Sequence, residues 1–152
     1  MANVEAGARE YFTADHRECD AAWAALESAV GAGDAAKQTA LWKVFESRMR
    51  RHLAMEEEVL FPAIESATGM RGGPVAVMRM EHEQMRALLA EMARRAAAGD
   101  FDGVLDQGDT LLMVIQQHNM KEEGILYPLA DNALAASWPQ IAERLRTYAL
   151  DR

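Results

Sequence analysis

The chain has 152 residues, half of them hydrophobic and about a quarter charged, which fits one domain with a full apolar core and excludes a disordered chain. A net charge of −8 argues against nucleic acid or an anionic membrane surface as a partner. The first ten residues lack the apolar core of a signal peptide, no apolar run reaches the ~18 residues of a membrane span, and Cys19 is the only cysteine, so a cytoplasmic protein without internal disulfides is expected.

Residues 4 to 30 are rich in Ala, Glu and Leu and contain no proline; Tyr11, Phe12, Cys19, Trp23, Leu26 and Val30 recur at the spacing of an amphipathic helix. Gly31-Ala32-Gly33-Asp34 breaks that helix, and Asp34 is a good N-cap for the next. The second helix is predicted from about Ala35 to Leu60, with Leu41, Val44, Phe45, Arg48, Met49, His52, Met55, Glu56 and Val59 facing inward. Pro62 has no amide to donate and should kink or end it, leaving a short helical tail over residues 63–67. Residues 68–74 form the clearest loop. A third helix should follow from Pro74 to Ala98, with Met78, His82, Met85, Leu89 and Met92 inward. Gly99-Asp100 breaks it. A fourth should run from Phe101 or Val104 to Tyr127, its first turns weakened by Gly103 and Gly108, with Leu105, Leu111, Leu112, Ile115, His118, Glu122 and Ile125 inward. Ser137 should cap a fifth, short helix that runs through Leu150. No stretch alternates with period two, so the expected class is all-α.

A duplication runs through this order. His52-Leu-Ala-Met-Glu56 with Leu60-Phe61-Pro62 has a near-copy in His118-Asn-Met-Lys-Glu122 with Leu126-Tyr127-Pro128, offset by 66 residues. His16 and His82 are also 66 apart, as are the Ala-Gly-Asp turns at 32–34 and 98–100. Two helical hairpins of one design, joined by short loops, pack most simply as an up-down-up-down four-helix bundle over about residues 8–130, with the short helix appended. His16 stands 16 residues before Ala32 and His52 20 after it; His82 and His118 repeat those distances around Ala98. At ~1.5 Å of rise per residue the four imidazoles lie within about a turn of one level.

A histidine and a glutamate four apart share one face of a helix. His16, His52, Glu56, His82, His118 and Glu122 therefore offer four nitrogen and two carboxylate donors, more than one cation needs and suited to two that share the carboxylates. The assignment is His16 and His52 on one ion, His82 and His118 on the other, with Glu56 and Glu122 as bridges. Imidazole with carboxylate and no thiolate fits iron, manganese or zinc. Asp20, one turn after His16, is a candidate further ligand or hydrogen-bond acceptor. Asp15 and Glu81, each adjacent to a histidine, read as solvated surface; Tyr11 and Tyr127 read first as packing, with a hydrogen bond near the site as the alternative; Cys19 reads as an inert buried thiol. Met49, Met55, Met78, Met85 and Met113 should line the core, and Arg48, Arg50 and Arg51 should form a solvated or salt-bridged patch. No His-Glu-x-x-His motif is present, which excludes zinc-protease chemistry.

The two His-x3-Glu…Leu-Phe/Tyr-Pro motifs, with one histidine on each remaining helix, resemble the hemerythrin-like, HHE cation-binding family. The resemblance implies a single domain holding a non-haem di-iron centre, oxo- or hydroxo-bridged, in a four-helix bundle. It implies a small ligand, namely oxygen, nitric oxide or peroxide, and a role in sensing or stress response; a di-iron peroxidase or oxidase, iron-centre repair, or metal storage are the alternatives. The chain departs from the oxygen carriers in two places. They place a His-x3-His pair on the third helix, whereas Met78 and Arg86 flank His82 here. They use His-x4-Asp on the fourth, whereas Glu122 and Glu123 follow His118 here; symmetry with Glu56 favours Glu122, with Glu123 the alternative.

Overall fold

The structure, a computed structural model, describes residues 7–148. Its elements are α1 (Ala8–Gly31), α2 (Ala35–Met55), a first π-turn (Glu56–Leu60), α3 (Phe61–Thr68), α4 (Pro74–Ala97), α5 (Phe101–Lys121), a second π-turn (Glu122–Leu126), α6 (Tyr127–Ala133) and α7 (Trp138–Leu145). No strand occurs among the described residues, and no helix is long and apolar enough to cross a membrane. The predicted helix start at residues 4–6 and the predicted end at Leu150 lie outside the described residues.

Helices α1 and α2 pack as one hairpin and α4 and α5 as the other; α1 against α5 and α6, and α2 against α4, close the four-helix bundle. The hairpin turns use one chemistry twice. Gly33 and Gly99 sit at φ 70° and 76°, where a side chain is strained, and the Asp34 and Asp100 carboxylates accept from the amides of Lys37 (3.1 Å) and Gly103 (2.9 Å). Gly103 and Gly108 do not interrupt α5, which is regular from Phe101. Gly108 instead allows close approach: a Cβ there would stand 2.1 Å from the Trp23 ring.

Pro62 and Pro128 do not end the helical run. Each follows a π-turn in which an amide reaches five residues back, Phe61 to the Glu56 carbonyl and Tyr127 to the Glu122 carbonyl, with helical dihedrals throughout. A proline cannot serve the carbonyl four residues earlier; for Pro62 that is Glu58, whose oxygen accepts from Arg144 instead at 3.2 Å. The wider turn also moves the inward face. After Glu122 the positions facing in are Leu126 and Tyr127, and Ile125, expected inward, is 60% exposed. Val44 and Met113 are likewise exposed, because Phe45 and Leu111 hold the inward positions on their helices. Among the described residues the last helix stops at Leu145, and Ser137 gives it no side-chain cap.

Two apolar clusters fill the bundle. One joins Phe12, Met55, Phe61, Met78 and Tyr127 to the buried face of α7 (Trp138, Ile141, Ala142, Leu145). The other joins Trp23, Leu26, Phe45, Met49, Met85, Leu89 and Leu111. On α1 and α4 the histidine falls in sequence between residues of one cluster and residues of the other, and on α2 and α5 it falls near the helix end where the second cluster gives way to the first, so the two clusters border a single polar layer.

Candidate metal centre

All six residues picked out by the duplication lie in that layer, and each is at most 4% exposed. Helix α1 carries His16, α2 carries His52, α4 carries His82, and α5 carries His118. Glu56 and Glu122 open the two π-turns. Two overlapping sets form, His16–His52–Glu56–Glu122 and Glu56–His82–His118–Glu122, and within each the donor atoms lie inside 4.8 Å of one another. Each carboxylate reaches one imidazole of each pair. Glu56 Oε1 lies 3.3 Å from His52 Nε2 and 3.1 Å from His82 Nε2. Glu122 lies 3.1 Å from both, through Oε1 to His16 Nε2 and Oε2 to His118 Nε2.

The outward nitrogens are tied just as regularly. His16 Nδ1 meets Glu123 (2.7 Å), His52 Nδ1 meets Asp15 (2.8 Å), His82 Nδ1 meets Glu57 (2.7 Å) and His118 Nδ1 meets Glu81 (2.9 Å). An ionised carboxylate only accepts, so Nδ1–H is the donor on each ring, which leaves Nε2 as the nitrogen facing the cluster and, once deprotonated, the one whose lone pair metal ligation requires. Each of these carboxylates in turn pairs with a cation: Arg17 with Glu123, Arg51 with Asp15, Arg86 with Glu57, and Lys121 with Glu81. Asp15 and Glu81 are therefore not solvated surface. A residue beside an inward position points sideways along the bundle wall, where the outer nitrogen of the neighbouring helix's histidine waits. The signal was present in the sequence, since Asp15 and Glu81, and Glu57 and Glu123, are each 66 apart. Glu123 thus orients His16, and Glu122 is the carboxylate inside the cluster. Asp20 does not join them; it is half-exposed and pairs with Arg17 at 3.6 Å. Arg48, Arg50 and Arg51 are all salt-bridged, Arg48 and Arg50 to Glu18 and Glu46, and Arg51 inward to Asp15.

Tyr127 takes the hydrogen-bonding alternative in place of simple packing. Its fully buried hydroxyl lies 2.5 Å from Glu56 Oε2, 2.9 Å from Glu122 Oε1 and 3.1 Å from His16 Nε2. Burial, and then the charges of Glu122 and Glu56, push its pKa well above the usual phenol value, so it stays protonated and donates to the carboxylates.

The donor set fits a pair of cations. His52 Nε2, His82 Nε2, His118 Nε2, Glu56 Oε1 and Glu122 Oε2 are buried with no well-aligned hydrogen bond, although each of these nitrogens has a carboxylate oxygen at 3.1–3.3 Å. Such atoms are costly unless something answers them, and all five point toward one another. Burial would lower the pKa of His82, but its bonds to Glu56 and Glu57 outweigh that and lift it to about 9. For His52 the same opposition, burial against Glu56 and Asp15, ends well above the ordinary value, and Glu56 is held well below its own. A small, mostly apolar cavity lined by Cys19, Trp23, Phe45, Met49 and Met85 abuts His16, His52 and His118. Burial raises the Cys19 thiol to about 12, so it remains the inert thiol expected.

The family model described as Hemerythrin HHE cation binding domain matches residues 8–130, and the buried histidine–carboxylate cluster falls wholly within that span. Among curated proteins and among solved structures, nothing matches the chain. Family and cluster together identify a metal-binding protein.

Proposed function

This chain belongs to the hemerythrin HHE cation-binding family, and from that premise we propose that it holds two irons and binds oxygen, nitric oxide or peroxide in cytoplasmic sensing or stress response. His16 and His52 would hold one ion, His82 and His118 the other, and Glu56 and Glu122 would be shared between them. The observation that carries this is the reach of each glutamate to one imidazole of each pair. Six nitrogen and oxygen donors without a thiolate suit iron better than a structural zinc site, which closes its shell with four. When bound, paired irons supply a redox-active Lewis-acid site.

The protein's own part is to fix and shield. Four carboxylates lock four imidazole orientations, two apolar clusters exclude water, and the apolar cavity admits a small uncharged molecule to the His16–His52–His118 side. One observation favours an enzyme as the second reading: the Tyr127 O–H is a proton held at the centre of the donor set.

Elemental analysis of protein purified without added metal tests the proposal. Two irons per chain are expected, and His52→Ala should lower the content sharply; another metal, or unchanged stoichiometry in the variant, overturns the assignment. Ligand binding to the reduced, iron-loaded protein without peroxide turnover supports the sensor reading, and sustained peroxide consumption the enzyme.

A further inference from the structure

The repeated half-sites are not equivalent in their outermost layer. The carboxylates that orient the histidines are duplicated, but the cations behind them are not. Position 51 carries arginine and its repeat position 117 carries glutamine, which is exposed. Glu81, the repeat of Asp15, is held instead by the half-exposed Lys121.

Arg51 is only 19% exposed and makes three contacts in three directions. Nη1 donates to Asp15 Oδ1 at 3.3 Å, Nη2 to the Tyr11 hydroxyl at 3.4 Å, and Nε to the backbone carbonyl of Tyr148 at 3.3 Å. The other Asp15 oxygen takes the His52 Nδ1 proton. A continuous polar chain therefore runs from the backbone after α7 through Arg51 and Asp15 to His52. The same segment grips the first π-turn twice: the Tyr148 hydroxyl donates to Glu58 Oε1 at 2.6 Å, and Arg144 to the Glu58 carbonyl freed by Pro62. All of this segment lies beyond the residues that the family model matches.

We infer that Arg51 is a positioning residue that latches the segment over residues 138–148 to the ion held by His16 and His52, so that docking of this segment and occupancy of that ion favour each other, while the His82–His118 ion feels the segment only through the shared glutamates and so less strongly. The inference rests on the two-ion reading above. A docked Tyr148 carbonyl holds the guanidinium in place. The guanidinium fixes the Asp15 carboxylate, and Asp15 fixes the His52 ring with its inner nitrogen aimed into the cluster. Binding linkage runs both ways, so an ion on His52 must tighten the segment by the same factor that the segment tightens the ion.

Cobalt(II) serves as the probe, bound by the full-length protein in competition with a chelator. Wild type should take two ions. Arg51→Met should weaken one by about tenfold, the low end of what losing an outer-layer partner costs, and weaken the other clearly less; Arg51→Lys, which can reach one partner but not all three, should fall between. The effect should persist in a His82→Ala background and vanish in His52→Ala. A chain ending at Thr147 keeps every buried residue of α7 and should weaken the same ion, which preserves the test if Arg51→Met folds poorly. Cobalt should slow amide exchange over residues 138–148 in wild type and not in Arg51→Met. Two ions of unaltered affinity in Arg51→Met, or equal weakening in both backgrounds, overturns the latch alone. Fewer than two ions in wild type overturns the two-ion reading and the latch with it.

Discussion

Replacing Tyr127 by phenylalanine removes one oxygen from the centre of the cluster and separates the metal-free protein from the metal-loaded one. The hydroxyl has three polar neighbours but a single proton, shared between Glu56 Oε2 at 2.5 Å and Glu122 Oε1 at 2.9 Å. The loss is thus one charge-assisted hydrogen bond, about 1.5–3 kcal/mol, not two. The ring still fills its place, stacked on Phe12 at 5.5 Å between centroids, so no cavity cost is added. In the metal-free protein Glu56 Oε2 would then face an apolar hydrogen with no donor, and stability should fall by about 2 kcal/mol, or roughly 4–8 °C in midpoint for a chain of this size. In the loaded protein a cation answers the same carboxylates, and the loss should be below about half of that. Urea unfolding of both forms, with and without metal, measures the difference. Equal losses in the two forms would refute the placement of the hydroxyl as the carboxylates' stand-in partner.

Three further outcomes follow from named atoms. Gly108→Ala gains up to about 1 kcal/mol in helix propensity but drives a Cβ to 2.1 Å from Trp23, so a net loss of about 1–2 kcal/mol is expected in chemical unfolding; a neutral or stabilising result would show that the ring moves freely. In the metal-free protein, His82 gains a proton-holding environment on folding, with its pKa raised to about 9. Its stabilising contribution is therefore complete below the unfolded value near 6.5 and is lost as pH rises through 9, and metal binding near pH 7 should release protons. Unfolding of the metal-free form from pH 6 to 10, and calorimetry in buffers of different ionisation enthalpy, read both effects; a flat profile with no proton release contradicts them. Cys19, buried and raised to about 12, should resist alkylation at pH 8 in the native state and react promptly in urea; fast native labelling would mean that the cavity beside it opens readily.

The duplication made most of the architecture legible before any coordinates. A 66-residue repeat of histidines, glutamates, prolines and Ala-Gly-Asp turns sets helix count, hairpin pairing and the level of the polar layer, because those depend on local periodicity and on turns that only glycine and aspartate make cheaply. The π-turns escaped that reasoning. A helical pattern read at 3.6 residues per turn placed Ile125 inward and ended the helix near Pro62, while the chain widens by one residue just before each proline and carries the helix on. The same widening brings Tyr127 into the donor set instead of onto a packing face.

What the sequence alone determined, then, is the all-α class, the two hairpins and the six donors, since residue type and spacing on a helix settle which groups share a face. Only the tertiary structure decided which carboxylate orients which imidazole, that Asp15, Glu57, Glu81 and Glu123 are all so used, and that Arg51 reaches past them to Tyr148. Those pairings join residues 25 to 107 positions apart on different helices, and their geometry depends on how the helices rotate against one another, which no local periodicity specifies.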